Sequence, residues 1–242
     1  MKFIHMLTGV VHPERADVNI SPIHLYDEYG NHLIFSICKS RIACSIEGTE
    51  ELDENSANNL RLLVDDKIRN IVDSLGFTIG CGYDVEIIQI YSLGDTSFSH
   101  FISGVEEVSL KDLCKKEQIS FSNIISLFNS DFGIYLNRSL SDLRLAIRSP
   151  QDTAFYCYRA IECLSHYFRH NGELTKSQAW SMLRNSLKIR KEDIIAIKDS
   201  ADPIRHGNPL EENNSDRQEI MMNTWDITIK FIKFAMKTHS DT

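Results

Sequence analysis

The 242-residue sequence has no long apolar run. Its most apolar stretches carry regular polar interruptions, whereas a membrane helix needs about 20 consecutive apolar residues, so we expect no membrane span. The opening MKFIHMLTGVVHPER reaches His12, Pro13, Glu14 and Arg15 too soon for a secretory leader. Paired cysteines are missing: Cys38, Cys44, Cys81, Cys114, Cys157 and Cys163 stand apart, with no CxxC step. That excludes a zinc ribbon. A disulfide framework belongs to shorter secreted chains, so reduced thiols in a cytoplasmic protein are expected. No P-loop is present, because SLGDTSFSHF lacks the Gly-Lys-Ser/Thr core. GFTIGCG follows a helical pattern instead of a strand, which removes the dinucleotide fingerprint. Excess positive charge is lacking as well: 26 Lys+Arg against 34 Asp+Glu leave a net charge of −8. Strong, non-specific nucleic-acid binding needs a basic surface and is excluded, although a small basic site is compatible with this balance.

The charge is unevenly spread. Residues 1–137 hold 10 Lys+Arg against 20 Asp+Glu, and residues 138–242 hold 16 against 14. Two parts with different tasks are implied. Residues 1–115 read as an α+β domain. FIHMLTGVV, VNISPIHLY and HLIFSICKS are strand patterns, Gly30-Asn31 marks a hairpin, and IACSIEG continues the sheet. Between Asp53 and Leu75 the apolar period becomes helical, with Gly76 placed as a C-cap, and YDVEIIQIYSL returns to a strand. An antiparallel sheet carrying one long helix follows.

Residues 116–242 read as an all-α bundle. SFSNIISLFNS and SLSDLRLAIRS are short helices. Ser149-Pro150-Gln151-Asp152 opens a helix through TAFYCYRAIECLSHYFRH, with Ser149 as N-cap. Capping boxes at Thr175–Gln178 and Ser215–Gln218 open two more, and another lies at about 191–201.

Chemistry concentrates at two places. Asp202 precedes Pro203, which biases it away from helical geometry, so Arg205-His206-Gly207 is expected in a turn. There His206 could move a proton and Arg205 could hold a phosphate. As plain structure, Arg205 would pair with an acid, His206 would bond a carbonyl, and Gly207 would supply a positive φ. On the long helix, Arg159, Glu162, His166 and His170 share a face. A Glu162 among apolar neighbours needs a partner. Arg205 is the preferred one and Arg159 the local rival. Glu162, His166 and His170 lack the HExxH order, and His5, His12, His24 and His32 are dispersed, so neither a metal nor another cofactor is expected.

At YRAIE and ADPIRHG the sequence resembles the HEPN-like helical domains of bacterial phage-defence, toxin–antitoxin and abortive-infection proteins. The resemblance covers about 116–242, through YRAIECL, SQAWSMLRNSL and the His-Gly step before the last helix. It implies a homodimer. In active HEPN ribonucleases an arginine five to seven residues before the histidine stabilises charge, and RNA is cleaved without metal. Here His206 matches that histidine, but the arginine positions hold Asp199, Ser200 and Ala201. Two readings follow. One is a non-catalytic or regulatory HEPN-like protein, with Glu162, Arg159 and Asp202 holding the loop. It would bind a protein through residues 1–115, or RNA or a nucleotide. The other is a metal-independent endoribonuclease using Arg205 and His206 across a dimer cleft.

Overall fold

A computed structural model describes residues 3–26, 30–49, 51–94, 97–102, 108–207 and 217–240. The chain divides into two compact units, Met1–Gly104 and Val105–Thr242. The first is α+β and the second is helical.

In the first unit, strands β1 (Phe3–His12), β2 (Ile20–Tyr26), β3 (His32–Cys38), β4 (Arg41–Gly48), β5 (Asp84–Leu93) and β6 (Phe98–Ile102) form one sheet of order β2-β3-β4-β1-β5-β6. Every pairing is antiparallel. Alternation decides the faces. Leu7, Ile90, Cys44 and Phe35 point to one face, and Ile87, Ile42 and Ile37 follow one register step on. Helix α1 (Glu54–Ile79) covers that face with Val64, Ile68 and Val72. At the β1 bulge after Thr8, a Cβ on Gly9 would lie 2.3 Å from the Glu86 carbonyl oxygen, so only glycine fits.

Helix α1 starts at a capping box in which Asp53 and Ser56 satisfy each other's backbone amides. Its end departs from the sequence reading. Gly76 lies inside the helix, and Gly80, at φ 70°, is the cap. Gly76 is required because Cys81 folds back, donating its N–H to the Gly76 carbonyl at 2.9 Å and leaving no room for a Cβ. Arg69 ties α1 to the sheet, donating to Asp65 at 3.0 Å, Asp84 at 2.6 Å and the Val85 carbonyl at 2.7 Å. The face opposite α1 exposes Ile4, Met6, Leu93 and Phe98. It also carries two aromatic stacks, Tyr26–His32–His24 and Tyr91–His100.

The helical unit comprises α2 (Leu113–Lys116), α3 (Phe121–Leu127), α4 (Gly133–Arg148), α5 (Thr153–Asn171), α6 (Lys176–Leu187), α7 (Lys191–Arg205) and α8 (Arg217–Ser240). Helix α5 is central, packing against α4, α6, α7 and α8. Ser149 makes no side-chain cap. Pro150–Asp152 instead form a 3-10 turn ahead of α5. The Thr175–Gln178 capping box forms as read from the sequence, whereas the Ser215–Gln218 box lies outside the described residues. Arg217, at the start of α8, donates to the Thr153 hydroxyl at 2.9 Å and the Ile147 carbonyl at 3.3 Å, and so satisfies the end of α4.

In the first unit, His5 is 3% exposed and shares a hydrogen bond with the Ser92 hydroxyl at 2.9 Å. Burial lowers its pKa. The unfolded chain therefore binds this proton more readily than the folded one. Its contribution is fully present above pH about 6.5 and declines as the pH falls below that value. Urea unfolding followed by circular dichroism should show the wild type losing stability between pH 7 and 5, with a shallower pH slope in His5→Asn.

Candidate functional site

The segment before Arg205-His206 is helical. Helix α7 runs through Pro203 to Arg205, so Asp202 keeps helical geometry, contrary to the sequence expectation. Buried Ile194, Ile197 and Ala201 anchor the helix, and Pro203 falls in its last turn, where it removes one intrahelical hydrogen bond without ending the helix. The His206 amide donates to the Asp202 carbonyl at 3.0 Å, and Gly207 follows at φ 69°. Arg205 and His206 are therefore the end of a helix, and both side chains are exposed.

Asp202 is pinned to Lys198 one turn back, its Oδ2 accepting from Nζ at 2.6 Å. That hydrogen bond lowers its pKa, with the nearby positive charges of Lys198, Arg205 and His206 acting in the same direction. Its other oxygen, Oδ1, is covered and accepts no hydrogen bond among the described residues. The structure thus brings Arg205, His206 and Asp202 together on one helix end.

Glu162 is not with them. Its carboxylate accepts from Lys176 of α6 at 2.9 Å, so neither Arg205 nor Arg159 is its partner. Between Glu162 and Asp202 lies Tyr158, stacked on Trp180 with centroids 5.9 Å apart. Burial and then the Glu162 charge push the Tyr158 phenol up. The helices α5, α6 and α7 are therefore laced by alternating charges around one tyrosine.

Arg159 turns the other way, to Asp142 of α4. Asp142 is 2% exposed and sits on the apolar stripe of Leu136, Leu143 and Ala146. A buried carboxylate needs a cation. Arg159 supplies it while resting on the Phe155 and Tyr156 rings, 5.2 and 5.1 Å from their centroids. The Cys163 thiol donates to the other Asp142 oxygen at 3.7 Å. Burial, followed by the Asp142 charge, pushes that thiol up to about 11, so it stays protonated. Beside Cys163, a groove of about 680 Å³ opens between α4 and α5, with Tyr135, Arg138, His166 and His170 on its walls. Sequence reading found His166 and His170 but grouped them with Glu162. Asp142, Tyr135 and Arg138 were missed. For Asp142 a signal existed, a lone acid at an apolar-stripe position. For the others, pairing across two helices leaves none. Among the described residues, no group of three or more His, Cys, Asp or Glu side chains could hold a metal ion.

Residues 5–96 match the family model described as the N-terminal domain of the domain of unknown function DUF8168, and residues 121–236 match its C-terminal domain. The chain carries the two DUF8168 domains in order. No curated protein and no solved structure matches it. No described helix is long and apolar enough to cross a membrane.

Removing Arg159 strands a buried charge. Arg159→Met should destabilise the helical unit by about 2 kcal/mol, less than for a fully enclosed pair because the Arg159 side chain is 42% exposed. The double variant Asp142→Leu/Arg159→Met should recover most of that loss. Urea unfolding followed by tryptophan fluorescence reads both, since Trp180 and Trp225 lie in this unit.

Proposed function

We propose that this protein is a non-catalytic, regulatory HEPN-like protein, dimeric through its helical unit, acting in bacterial phage defence or a toxin–antitoxin-like system by binding a partner or nucleic acid. The observation that carries this reading is the composition of α7 ahead of His206. Of the positions where a catalytic arginine would stand, Ser200 and Ala201 are buried and Asp199 is acidic. The next residue, Asp202, brings its carboxylate to the same helix end. A carboxylate takes hydrogen-bond donors, whereas a phosphate offers acceptors. A negative charge there repels a phosphodiester and offsets Arg205. Glu162 and Arg159 are architectural in this reading, each held in an ion pair. The apolar, aromatic face of the sheet opposite α1 supports a protein partner for residues 1–115.

A second reading, metal-independent endoribonuclease, has one observation in its favour. Arg205 and His206 are both exposed at a helix end, where two copies could present them to one RNA strand.

Incubation of labelled total RNA and tRNA with the full chain in EDTA separates the two. We expect no specific cuts by the wild type at high protein concentration, and a dimer mass in sedimentation. Specific cuts with cyclic-phosphate ends, lost in His206→Ala, would replace the binding reading with the ribonuclease.

A further inference from the structure

The groove between α4 and α5 has a selective chemistry. Among the described residues no carboxylate lines it, in a chain with 34 acidic residues. The two acids of α4 and α5 are each held by a cation that does not line it. Asp142 lies behind Cys163, bound to Arg159, and Glu162 reaches to Lys176 on α6. What remains is a set of hydrogen-bond donors. Arg138 stands on α4 with no described carboxylate paired to it, and Asn137 and Ser141 flank it on the same wall. From α5 come His166 and His170, one helical turn apart with ring centroids separated by 6.0 Å.

The remainder of the lining is apolar and planar. Tyr135 stacks against His170 at 6.1 Å with 29° between the planes. Ile134 beside it is 75% exposed. The cavity lies within the range of small-molecule sites, roughly 300–1,000 Å³, and combines a flat apolar wall with a few convergent polar groups. Cys163 on its floor remains a protonated thiol and supplies no nucleophile.

We propose that this groove binds a small phosphate monoester carrying a planar apolar body, with the phosphoryl group between Arg138, His166 and His170 and the body against Tyr135. Donors arriving from two helices suit the three terminal oxygens of a phosphoryl group better than a flat carboxylate, which one guanidinium satisfies. The size of the groove suits a free small molecule. The inference does not rest on the HEPN-like reading, because the groove shares no residue with the Arg205-His206 helix end.

Calorimetric titration of the full chain with phenyl phosphate tests it, with benzoate, inorganic phosphate and a 5′-phosphorylated RNA pentamer as parallel arms. We expect saturable one-to-one binding of phenyl phosphate. Arg138→Gln should weaken it by about tenfold or more, the worth of a charge-assisted contact. His166→Gln should weaken it as well. Lys237→Gln, on the basic surface of α8, should leave it unchanged. Arg138 is exposed, so its variant should keep the wild-type circular dichroism spectrum and melting temperature, and a loss of binding then reports the groove. Four outcomes would overturn the proposal: no saturable binding by the wild type, equal affinity for benzoate, equal losses in Arg138→Gln and Lys237→Gln, or tighter binding of the pentamer, which would make the site one for an RNA end. Each of these is independent of whether RNA is cut at His206.

Discussion

Helix α5 has neighbours on four sides, and that constraint organises the helical unit. Ala154, Cys157, Ala160, Ile161, Leu164 and Phe168 are buried among these neighbours, and half-buried polar side chains of α5 line the seams between packed helices. At the seam with α4, Arg159 meets Asp142 and the thiol of Cys163. At the seam with α6, Glu162 meets Lys176. The apolar packing comes first energetically, because a buried ion pair roughly breaks even against its desolvation. The ion pairs then fix which helices meet and in which register. Among the described residues, His166 and His170, further along the α4 seam, have no ion-pair partner, and they wall a groove.

Much of this architecture could be read from the chain, and the failures share a cause. The sheet, the long helix and the helical second half follow from periodicity, because alternation and the 3.6-residue repeat are local properties. The Thr175–Gln178 box was legible for the same reason. The turn between β3 and β4 was not. Lys39 and Ser40 both take positive φ there without a glycine or asparagine. Ser40 is held by Val18, donating its amide to the Val18 carbonyl at 2.8 Å and accepting the Val18 amide on its hydroxyl at 3.0 Å. A tertiary contact thus replaced turn chemistry.

The partner of Glu162 was misjudged on the same principle. Distance along the chain favoured Arg159, and motif reasoning favoured Arg205. The side chain that arrives is Lys176, brought by the packing of α6 on α5. Pro203 likewise overstated its local rule. A proline disfavours helix at the preceding residue, but buried Ile197 and Ala201 hold α7 in place through its last turn. Local signals give elements, whereas partners across elements depend on packing that no window of sequence contains.

The persistence of α7 past Pro203 changes what the Arg205-His206 step can recognise. On a helix, Lys198, Asp202 and the pair Arg205-His206 fall at spacings of three and four, which places them in one column. The column runs cation, anion, cation. Lys198 is already committed to Asp202, and Asp202 also lies in the field of Arg205 and His206. A uniform polyanion laid along this column would gain at the helix end and lose at Asp202. A surface that alternates, with an acid against Arg205 and a donor for the Asp202 carboxylate, would gain at both. In a flexible loop Arg205 could swing away from Asp202 to meet a phosphate. On a helix end the carboxylate stays one turn away, so an anion that approaches Arg205 also meets Asp202.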